Sequence, residues 1–318
     1  MSINKIIKFM TFNISAEMLC QDDNVNNIIN IIKKANPDII GIQETKCNKS
    51  NTSVAKYIAD SISYNVYDQS KQYYSYGTNA ILSRFPIISV SPNDFGVCIQ
   101  INEWKFGVFN IHLASYPYQP YQFAGIKSYP EEIFPFITTE IEAIEFATQA
   151  RIPTIKKIFE EINYFNSLDK LDGIIIMGDM NEPSHRDWTS ATVKAGRHPC
   201  SVEYPTIKYI EDNGFIDIYR HHNPDPVTHP GFTWIWKEYN KLNERIDYIL
   251  LKGTNYNIIE CNIINKKDWP SDHYGCYAII SFNKKDWQHK YLKYKQKYAR
   301  IKIFSNNTGV TLSSNIIL

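Results

Sequence analysis

Asp179 and Asn181, in the sequence Gly178-Asp179-Met180-Asn181, combine a carboxylate and an amide at a spacing that suits phosphate chemistry. The apolar run Ile174–Met177 precedes them and predicts a buried strand that ends in a loop. In an extended chain, residues i and i+2 point to the same side, so the two side chains would project together. Such a pair can hold a water molecule and a phosphate oxygen. The alternative is a turn in which both side chains bond their own backbone.

Other short polar clusters also adjoin apolar stretches that predict strands, and one shared sheet edge would gather them into a single site. Each cluster alone has a simpler interpretation: an asparagine turn, an exposed glutamate, a buried hydrogen-bonded histidine or a surface ion pair. Along the chain the clusters are Asn13; Gln43-Glu44; Asn110 with His112; Asp179 with Asn181; Arg245 with Asp247; and Ser271-Asp272-His273. Asn110 and His112 are expected on the same face of their strand, and so are Arg245 and Asp247.

This order of motifs resembles the metal-dependent endonuclease/exonuclease/phosphatase superfamily, which contains deoxyribonuclease I, exonuclease III, neutral sphingomyelinases and inositol-polyphosphate 5-phosphatases. The resemblance spans residues 5–282. It implies a deoxyribonuclease I-like α/β fold: a four-layer sandwich of two mixed β-sheets flanked by helices, with the active site at one end of the sheet pair. The sequence pattern without the resemblance indicates only an α/β protein.

Phosphodiester hydrolysis needs a metal ion to neutralise the phosphate, an oriented water molecule and donors for the phosphate oxygens. Under the resemblance, Glu44 is the first metal ligand, and Asn13 and Asp272 are further candidate ligands. These are hard oxygen ligands, and no cysteine or histidine cluster has zinc-site spacing, so Mg²⁺ or Mn²⁺ is expected and zinc is disfavoured.

The resemblance also implies the catalytic roles. Asp179 orients or deprotonates the attacking water, and Asn181 fixes that water and a phosphate oxygen. His273, paired with Asp247, is an imidazolium that stabilises charge on the phosphate. His112 hydrogen-bonds the phosphate or protonates the leaving oxygen.

Four residues are candidates for substrate binding. Arg84 lies in a Leu-Ser-Arg-x-Pro turn that is close to the site in the superfamily, although a structural salt bridge is the alternative. Asn110 shares the predicted face of His112. Tyr118 and Tyr121 lie in a Pro-rich segment that predicts an irregular lid or wall, and they could stack on bases or apolar groups. A loop packed on its own side chains is the alternative. A helix is expected to start near Pro153.

Length and composition fit one catalytic domain, residues 1–282, followed by a tail, residues 283–318, because 43% of the 318 residues are apolar. Residues 1–15 lack a signal-peptide pattern and no stretch has membrane-spanning length, so we expect an intracellular, soluble protein without a transmembrane segment.

The six cysteines are scattered along the chain without a C-x-x-C pair, and free thiols are expected. They are Cys20, Cys47, Cys98, Cys200, Cys261 and Cys276.

The net charge of +1 hides an asymmetry, because residues 283–318 carry +7 and residues 1–282 carry −6. An acidic domain is typical of cation binding, whereas long-range attraction to polyanions would come from the tail. Trp287, Tyr291, Tyr294 and Tyr298 fall on one face of a predicted helix in the tail. This aromatic face could dock on the domain or on a partner, and we favour docking over nucleic-acid binding as its role.

The sequence thus predicts a Mg²⁺-dependent phosphodiester hydrolase, and we favour a nuclease or nucleic-acid phosphodiesterase because of the basic tail. The alternative is a sphingomyelinase-like or phosphoinositide-type enzyme that acts on lipid headgroups or small phosphoesters.

The motif around His112, Asn-x-His-Leu, resembles the one in deoxyribonuclease I and the sphingomyelinases, whereas exonuclease III and the abasic-site endonucleases carry a tyrosine-containing motif there. Abasic-site repair is therefore disfavoured. A non-catalytic binding module is disfavoured by the intact polar set, and fold analogy alone does not decide the substrate.

Overall fold

The computed structural model describes residues 2–21, 23–47, 52–69, 78–126, 135–168, 170–235, 243–265 and 269–285. The predicted tail helix with its four aromatic residues lies outside the described residues. Within them, the strands are β1 (Ser2–Asn13), β2 (Ile39–Gln43), β3 (Asn65–Gln69), β4 (Asn79–Ser83), β5 (Ile87–Val90), β6 (Gly96–Ile101), β7 (Trp104–His112), β8 (Gly173–Asp179), β9 (Ile216–Asp217), β10 (Asp247–Gly253), β11 (Tyr256–Ile264) and β12 (Gly275–Lys285). The last strand continues three residues past the predicted domain boundary at 282.

The helices lie between these strands, and a short 3-10 turn, Met18–Cys20, follows β1. None of the described helices is both long and apolar enough to cross a membrane. The α-helices are α1 (Asn24–Ala35), α2 (Ala55–Ile62), α3 (Gln119–Ala124), α4 (Glu140–Leu168), α5 (Ser190–Lys194), α6 (Pro205–Asp212) and α7 (Ile218–His222).

Two six-stranded mixed sheets form the centre of the protein. Their strand orders are β11-β12-β1-β2-β4-β3 and β5-β6-β7-β8-β10-β9. One apolar cluster, which includes Phe9 and Phe106, joins the facing sides of the two sheets. A second cluster packs α4 and α6 on the outer face of one sheet, and a third packs α1 and α2 on the other. These layers confirm the predicted four-layer α/β sandwich.

The segment between β7 and β8 differs from the prediction in two places. The helix that was expected to start near Pro153 starts at Glu140, and Pro153 lies inside it. A proline inside a helix removes one backbone hydrogen bond, but the turns before it bury Ala143 and Ala147 in an apolar cluster that stabilises the extension. The Pro-rich stretch also contains regular structure, because Pro120 falls in the first turn of α3, where proline is well tolerated.

The expectation that all six cysteines are free thiols is wrong. Cys20 and Cys47 form a disulfide, with their Cα atoms 5.4 Å apart across 27 residues of sequence. The other four cysteines lie outside this disulfide, and three of them are buried. Spacing along the chain did not reveal the pair, because the fold brings the turn after β1 beside the loop after β2.

Candidate active site

The ends of five strands meet at one edge of the sheet pair. Parallel pairing of β1 with β2 sets Asn13 beside Gln43, immediately before Glu44. Parallel pairing of β7 with β8 sets His112 beside Asp179, and antiparallel pairing of β10 sets Asp247 on the other side of Asp179. The edge thus collects polar side chains that are far apart in the sequence.

Asp179 is the centre of this arrangement. Its Oδ2 accepts a hydrogen bond from Asn13 Nδ2 at 3.0 Å and lies 3.6 Å from Nε2 of His112 and 3.7 Å from Nε2 of His273. Its Oδ1 accepts from the backbone N–H of Asn181 at 2.8 Å. Burial raises the pKa of Asp179 to about 6, because the two histidines only partly offset the loss of solvent and the nearby Asp247 carboxylate.

His273 is held by the second carboxylate of the cluster. Its Nδ1 lies 2.9 Å from Asp247 Oδ2, and the backbone N–H of Asp247 donates to Thr233 Oγ1 at 3.0 Å. Burial alone would lower the pKa of His273, but the Asp247 and Asp179 carboxylates outweigh it and raise this pKa well above the ordinary imidazole range. His273 is therefore an imidazolium at neutral pH, with an N–H on each ring nitrogen.

Glu44 faces the same space from the end of β2. Its backbone has a positive φ of 59°, a conformation that is uncommon outside glycine and often found at functional sites. Its Oε2 accepts from the backbone N–H of Ala16 at 2.7 Å, and its side chain keeps 24% of its surface exposed. Asp272, whose side chain is exposed, lines the same cavity. These two carboxylates offer the hard oxygen atoms that Mg²⁺ or Mn²⁺ prefers.

The hydrogen bonds of Asn13 do not support its predicted role as an oxygen ligand for the metal. Asn13 is fully buried, and its Nδ2 donates both to Glu44 Oε1 at 3.1 Å and to Asp179 Oδ2 at 3.0 Å. Its Oδ1 accepts from the backbone N–H of Ser15 at 3.0 Å. A flipped amide would set Nδ2 against this N–H and Oδ1 against the two carboxylate oxygens, so the amide orientation is fixed. Asn13 therefore holds the two carboxylates in place.

A second group of possible ligands, Asp179, Asp247 and His273, has ligand atoms within 4.8 Å of one another. The imidazolium has no free lone pair with which to bind a cation, because both of its nitrogens carry protons. Glu44 and Asp272 are free of this restriction, because both are carboxylates that line the cavity.

A cavity of about 220 Å³ opens over these residues, and aromatic side chains form one side of it. Tyr118 and Tyr121 are only 4% and 3% exposed and meet edge to face, with ring centroids 4.9 Å apart. Tyr118 also packs edge to face on Trp234 at 5.6 Å. The tyrosines predicted to bind substrate thus pack on neighbouring rings while they line the cavity, together with the half-buried Tyr116 and Trp234. We call these four residues the aromatic wall.

Sequence reasoning did not single out Trp234 as a site residue. An isolated backbone bridge pairs Trp234 with His273, and the two ring centroids lie 6.5 Å apart. The available signal was the His-Pro-Gly-Phe-Thr-Trp stretch before the Asp247 strand, which the sequence shows but which does not indicate where the indole lies.

Two predicted substrate-binding residues lie elsewhere. β4 runs antiparallel to β2 and pairs Ser83 with Ile39, so Arg84 lies at the opposite end of the sheet from Glu44. Its guanidinium bonds Asn36 and Tyr64 there, and Asp38 lies 3.5 Å away. The structural salt bridge that was the alternative is the one observed.

Asn110 does share the inward direction of His112, but it lies deeper between the two sheets. It is fully buried, and its Nδ2 donates to the carbonyls of Ile42 and Ala80 and to Gln69 Oε1. These bonds join strands of both sheets, and the residue does not line the cavity. Asn110 therefore stabilises the sandwich, and its position does not support the predicted substrate contact.

Comparisons with known proteins agree with this architecture. The model of the Endonuclease/Exonuclease/phosphatase family matches residues 10–273. An uncharacterized protein of Caenorhabditis elegans is 26% identical over 310 residues, which is 87% of this chain and 91% of the relative.

Two solved structures share the fold at 15% identity and a TM-score of 0.52, each with 86% of this chain and 98% of the other aligned. They are humanized D. rerio TDP2 and the 3' phosphatase NExo from Neisseria bound to a product DNA hairpin. With the family match over most of its length, the chain belongs to the Endonuclease/Exonuclease/phosphatase family, and it is a phosphoester-hydrolysing enzyme.

Proposed function

We propose that this enzyme hydrolyses phosphoester bonds of nucleic acids with the help of a bound Mg²⁺ or Mn²⁺. The observation that carries the proposal is a single cavity in which a carboxylate and histidine cluster meets the aromatic wall. Aromatic side chains beside a phosphate site can stack on bases without regard to sequence. The DNA hairpin bound to the structurally similar NExo supports the same substrate class.

Charge balance supports the cation. Glu44, Asp179 and Asp272 bring three carboxylates to the cavity. A fourth, that of Asp247, lies beside His273, which supplies one compensating positive charge. A phosphodiester is itself an anion, so this excess of negative charge would repel it. A divalent ion held by Glu44 and Asp272 would offset that charge and polarise the phosphoryl oxygen.

The remaining residues have separate roles in this proposal. Asp179 orients the attacking water and accepts its proton, since its pKa of about 6 leaves it ionised at neutral pH. Asn181 Nδ2 donates one N–H to the carbonyl of Leu113 at 3.0 Å, and its second N–H can donate to a phosphate oxygen. His273 donates from Nε2 to the transferring oxygens. His112 donates to the phosphate or to the leaving oxygen.

A substrate panel tests the proposal directly. Plasmid, single-stranded DNA, RNA, sphingomyelin, phosphoinositides and bis-nitrophenyl phosphate are each assayed with Mg²⁺, with Mn²⁺ and with EDTA. We expect turnover of at least one nucleic acid, complete loss in EDTA and recovery when either ion is added back. Exclusive turnover of a lipid would establish the alternative substrate class, and full turnover in EDTA would contradict the metal.

The cation site has its own measurement, independent of turnover. Mn²⁺ affinity, measured by titration, should fall at least tenfold in Glu44→Gln, because a charged oxygen ligand becomes a neutral amide. The matched control is Glu103→Gln, an exposed carboxylate in the turn between β6 and β7. Equal Mn²⁺ affinity in Glu44→Gln and the wild type would place the cation elsewhere.

The basic C-terminal tail has two candidate roles, docking on the domain and contact with nucleic acid, and they predict opposite results. If the tail contacts nucleic acid, deleting its residues 286–318, beyond β12, should weaken DNA binding and flatten its salt dependence, because each phosphate contact adds about −0.9 to the slope of log K against log salt. Turnover of a small diester should not change. If the tail docks on the domain instead, the deletion should lower the melting temperature and leave the salt slope unchanged. Both quantities are measured on the same truncated protein.

A further inference from the structure

Arg151, on α4, has a fully buried side chain that lies behind the aromatic wall. Its guanidinium donates from Nε to the carbonyl of Ala114 and from Nη2 to the carbonyl of Pro117, each at 3.0 Å. Nη1 donates to Gln119 Oε1 at 3.1 Å and lies 3.5 Å from Glu182 Oε2. Three of these four acceptors belong to residues 114–119, which we call the wall loop.

A buried guanidinium is costly unless its N–H groups are bonded, and this one is bonded mainly to a loop. Its rigid planar guanidinium fork donates to two backbone carbonyls three residues apart and to one side chain. The ammonium group of a lysine could not hold three acceptors in this fixed geometry. The fork therefore fixes the path of the wall loop. Tyr116 and Tyr118, which line the cavity, lie between the fixed points.

The fourth contact joins the same guanidinium to the catalytic loop. Glu182 directly follows Asn181, and its carboxylate accepts from Thr206 N at 2.7 Å and from Thr206 Oγ1 at 2.9 Å. Glu182 is also fully buried, so its position is fixed from both sides. Arg151 consequently lies between the wall loop and the segment that carries Asp179 and Asn181.

We propose that Arg151 is a positioning residue that sets the distance between the aromatic wall and the catalytic carboxylate. It controls affinity for substrates that contact the wall and does not take part in the chemical step. The inference rests on the proposed function, since it assigns the wall to substrate recognition.

Hydrogen–deuterium exchange of Arg151→Lys tests the positioning without any substrate. Lysine keeps the charge but cannot form the fork, so exchange should rise in residues 114–122 and stay unchanged in β1 and β10. The matched control is Arg197→Lys, which removes an arginine that donates to the carbonyls of Pro226 and Val227 in a different loop. Exchange that rises throughout the domain, or not at all in the wall loop, would overturn the proposal.

A double-mutant cycle tests the link to substrate. With an oligonucleotide, KM should rise about 5- to 150-fold in both Arg151→Lys and Tyr116→Ala, the range expected for one lost base stack, while kcat changes far less. The double variant should be no worse than the more affected single variant, because both changes disable the same wall. Additive effects, or a loss confined to kcat, would overturn the assignment.

Two further measurements separate the possible failures. If Arg151→Lys does not fold, Gln119→Met removes one acceptor of the fork and should raise KM in the same direction by a smaller factor. A wild-type enzyme that is inactive on every nucleic acid defeats the proposed function. In that case the exchange experiment alone decides whether Arg151 holds the wall loop.

Discussion

Two buried clusters of charge lie close together in this enzyme, and they differ in how completely their charges are paired. In the arginine network, Asp187 and Asp217 bind Arg220 and Arg245, with ion-pair distances of 2.7–2.8 Å. In the carboxylate cluster around Asp179, only His273 and Asp247 approach within 2.9 Å, and the other histidine–carboxylate distances are 3.6–3.9 Å.

The difference separates a structural role from a functional one. Two positive and two negative charges in the arginine network satisfy one another, and Asp217 also caps α7 through the backbone N–H of Arg220. The carboxylate cluster has an excess of negative charge and opens on a cavity. Buried charge that is already neutralised stabilises the fold, whereas buried charge in excess is suited to a cation and a substrate.

The same substitution in each cluster should have opposite consequences. The first is Asp217→Asn, which removes the negative partner that Arg245 contacts through both Nη atoms, at 3.1 and 2.7 Å. Breaking a buried ion pair costs about 3–5 kcal/mol of unfolding free energy. Urea unfolding in EDTA measures this loss, and the folded fraction should keep its kcat. A loss below about 1 kcal/mol would show that the network is not the stabilising cluster.

The second is Asp179→Asn, which changes the carboxylate that three side-chain donors face. Turnover should fall about 10²- to 10³-fold, equivalent to roughly 2.7–4 kcal/mol, because the oriented base and its charge are lost. Metal-free stability should not decrease, since a buried carboxylate in excess becomes neutral. Single-turnover rates and urea unfolding measure the two effects, and more than a tenth of wild-type turnover would contradict the assigned role. His273→Ala should cause a loss of turnover of the same order.

Much of the site was predictable because it depends on local patterns. An apolar strand followed by a polar residue placed Glu44, His112 and Asp179, and parallel pairing carried them to one edge. Arg84 was placed near the site only because its turn resembles the superfamily's, but β4 runs antiparallel to β2 and ends at the opposite edge. No pattern within one strand reveals the direction of its neighbour.

Other features depend on contacts between segments that are distant in the sequence. Arg245 and Asp247 were expected on one face, but β10 starts only at Asp247, so strand periodicity does not apply to Arg245. Its guanidinium belongs to the arginine network, while Asp247 belongs to the carboxylate cluster. Arg151 and the Cys20–Cys47 disulfide were missed for a similar reason, because their partners are defined only by the folded chain.

The pH dependence of stability gives the finest comparison of the two clusters. Burial raises the pKa of Asp179 to about 6, so the native state binds a proton there more tightly than the unfolded state does. As pH rises through about 6, Asp179 loses this proton in the native state, and the unfolding free energy falls. Burial would also raise the pKa of Asp217, but the Arg245 and Arg220 guanidiniums outweigh burial and lower it. Asp217 therefore stabilises the native state above its unfolded pKa of about 3.9, and this stabilisation is lost in acid.

Measurement of unfolding free energy in EDTA between pH 4.5 and 8 should separate these two carboxylates. Relative to the wild type, Asp179→Asn should become more stable as pH rises through about 6, because the variant cannot ionise. Asp217→Asn should remain less stable by a nearly constant amount across this range, because the contribution of Asp217 is lost only below its unfolded pKa of about 3.9. The single-group effect is small, at most 1.4 kcal/mol per pH unit, so differences between variants are more informative than absolute values. Parallel pH curves for the two variants would mean that both carboxylates are equally well compensated, and the distinction between a structural and a functional cluster would be lost.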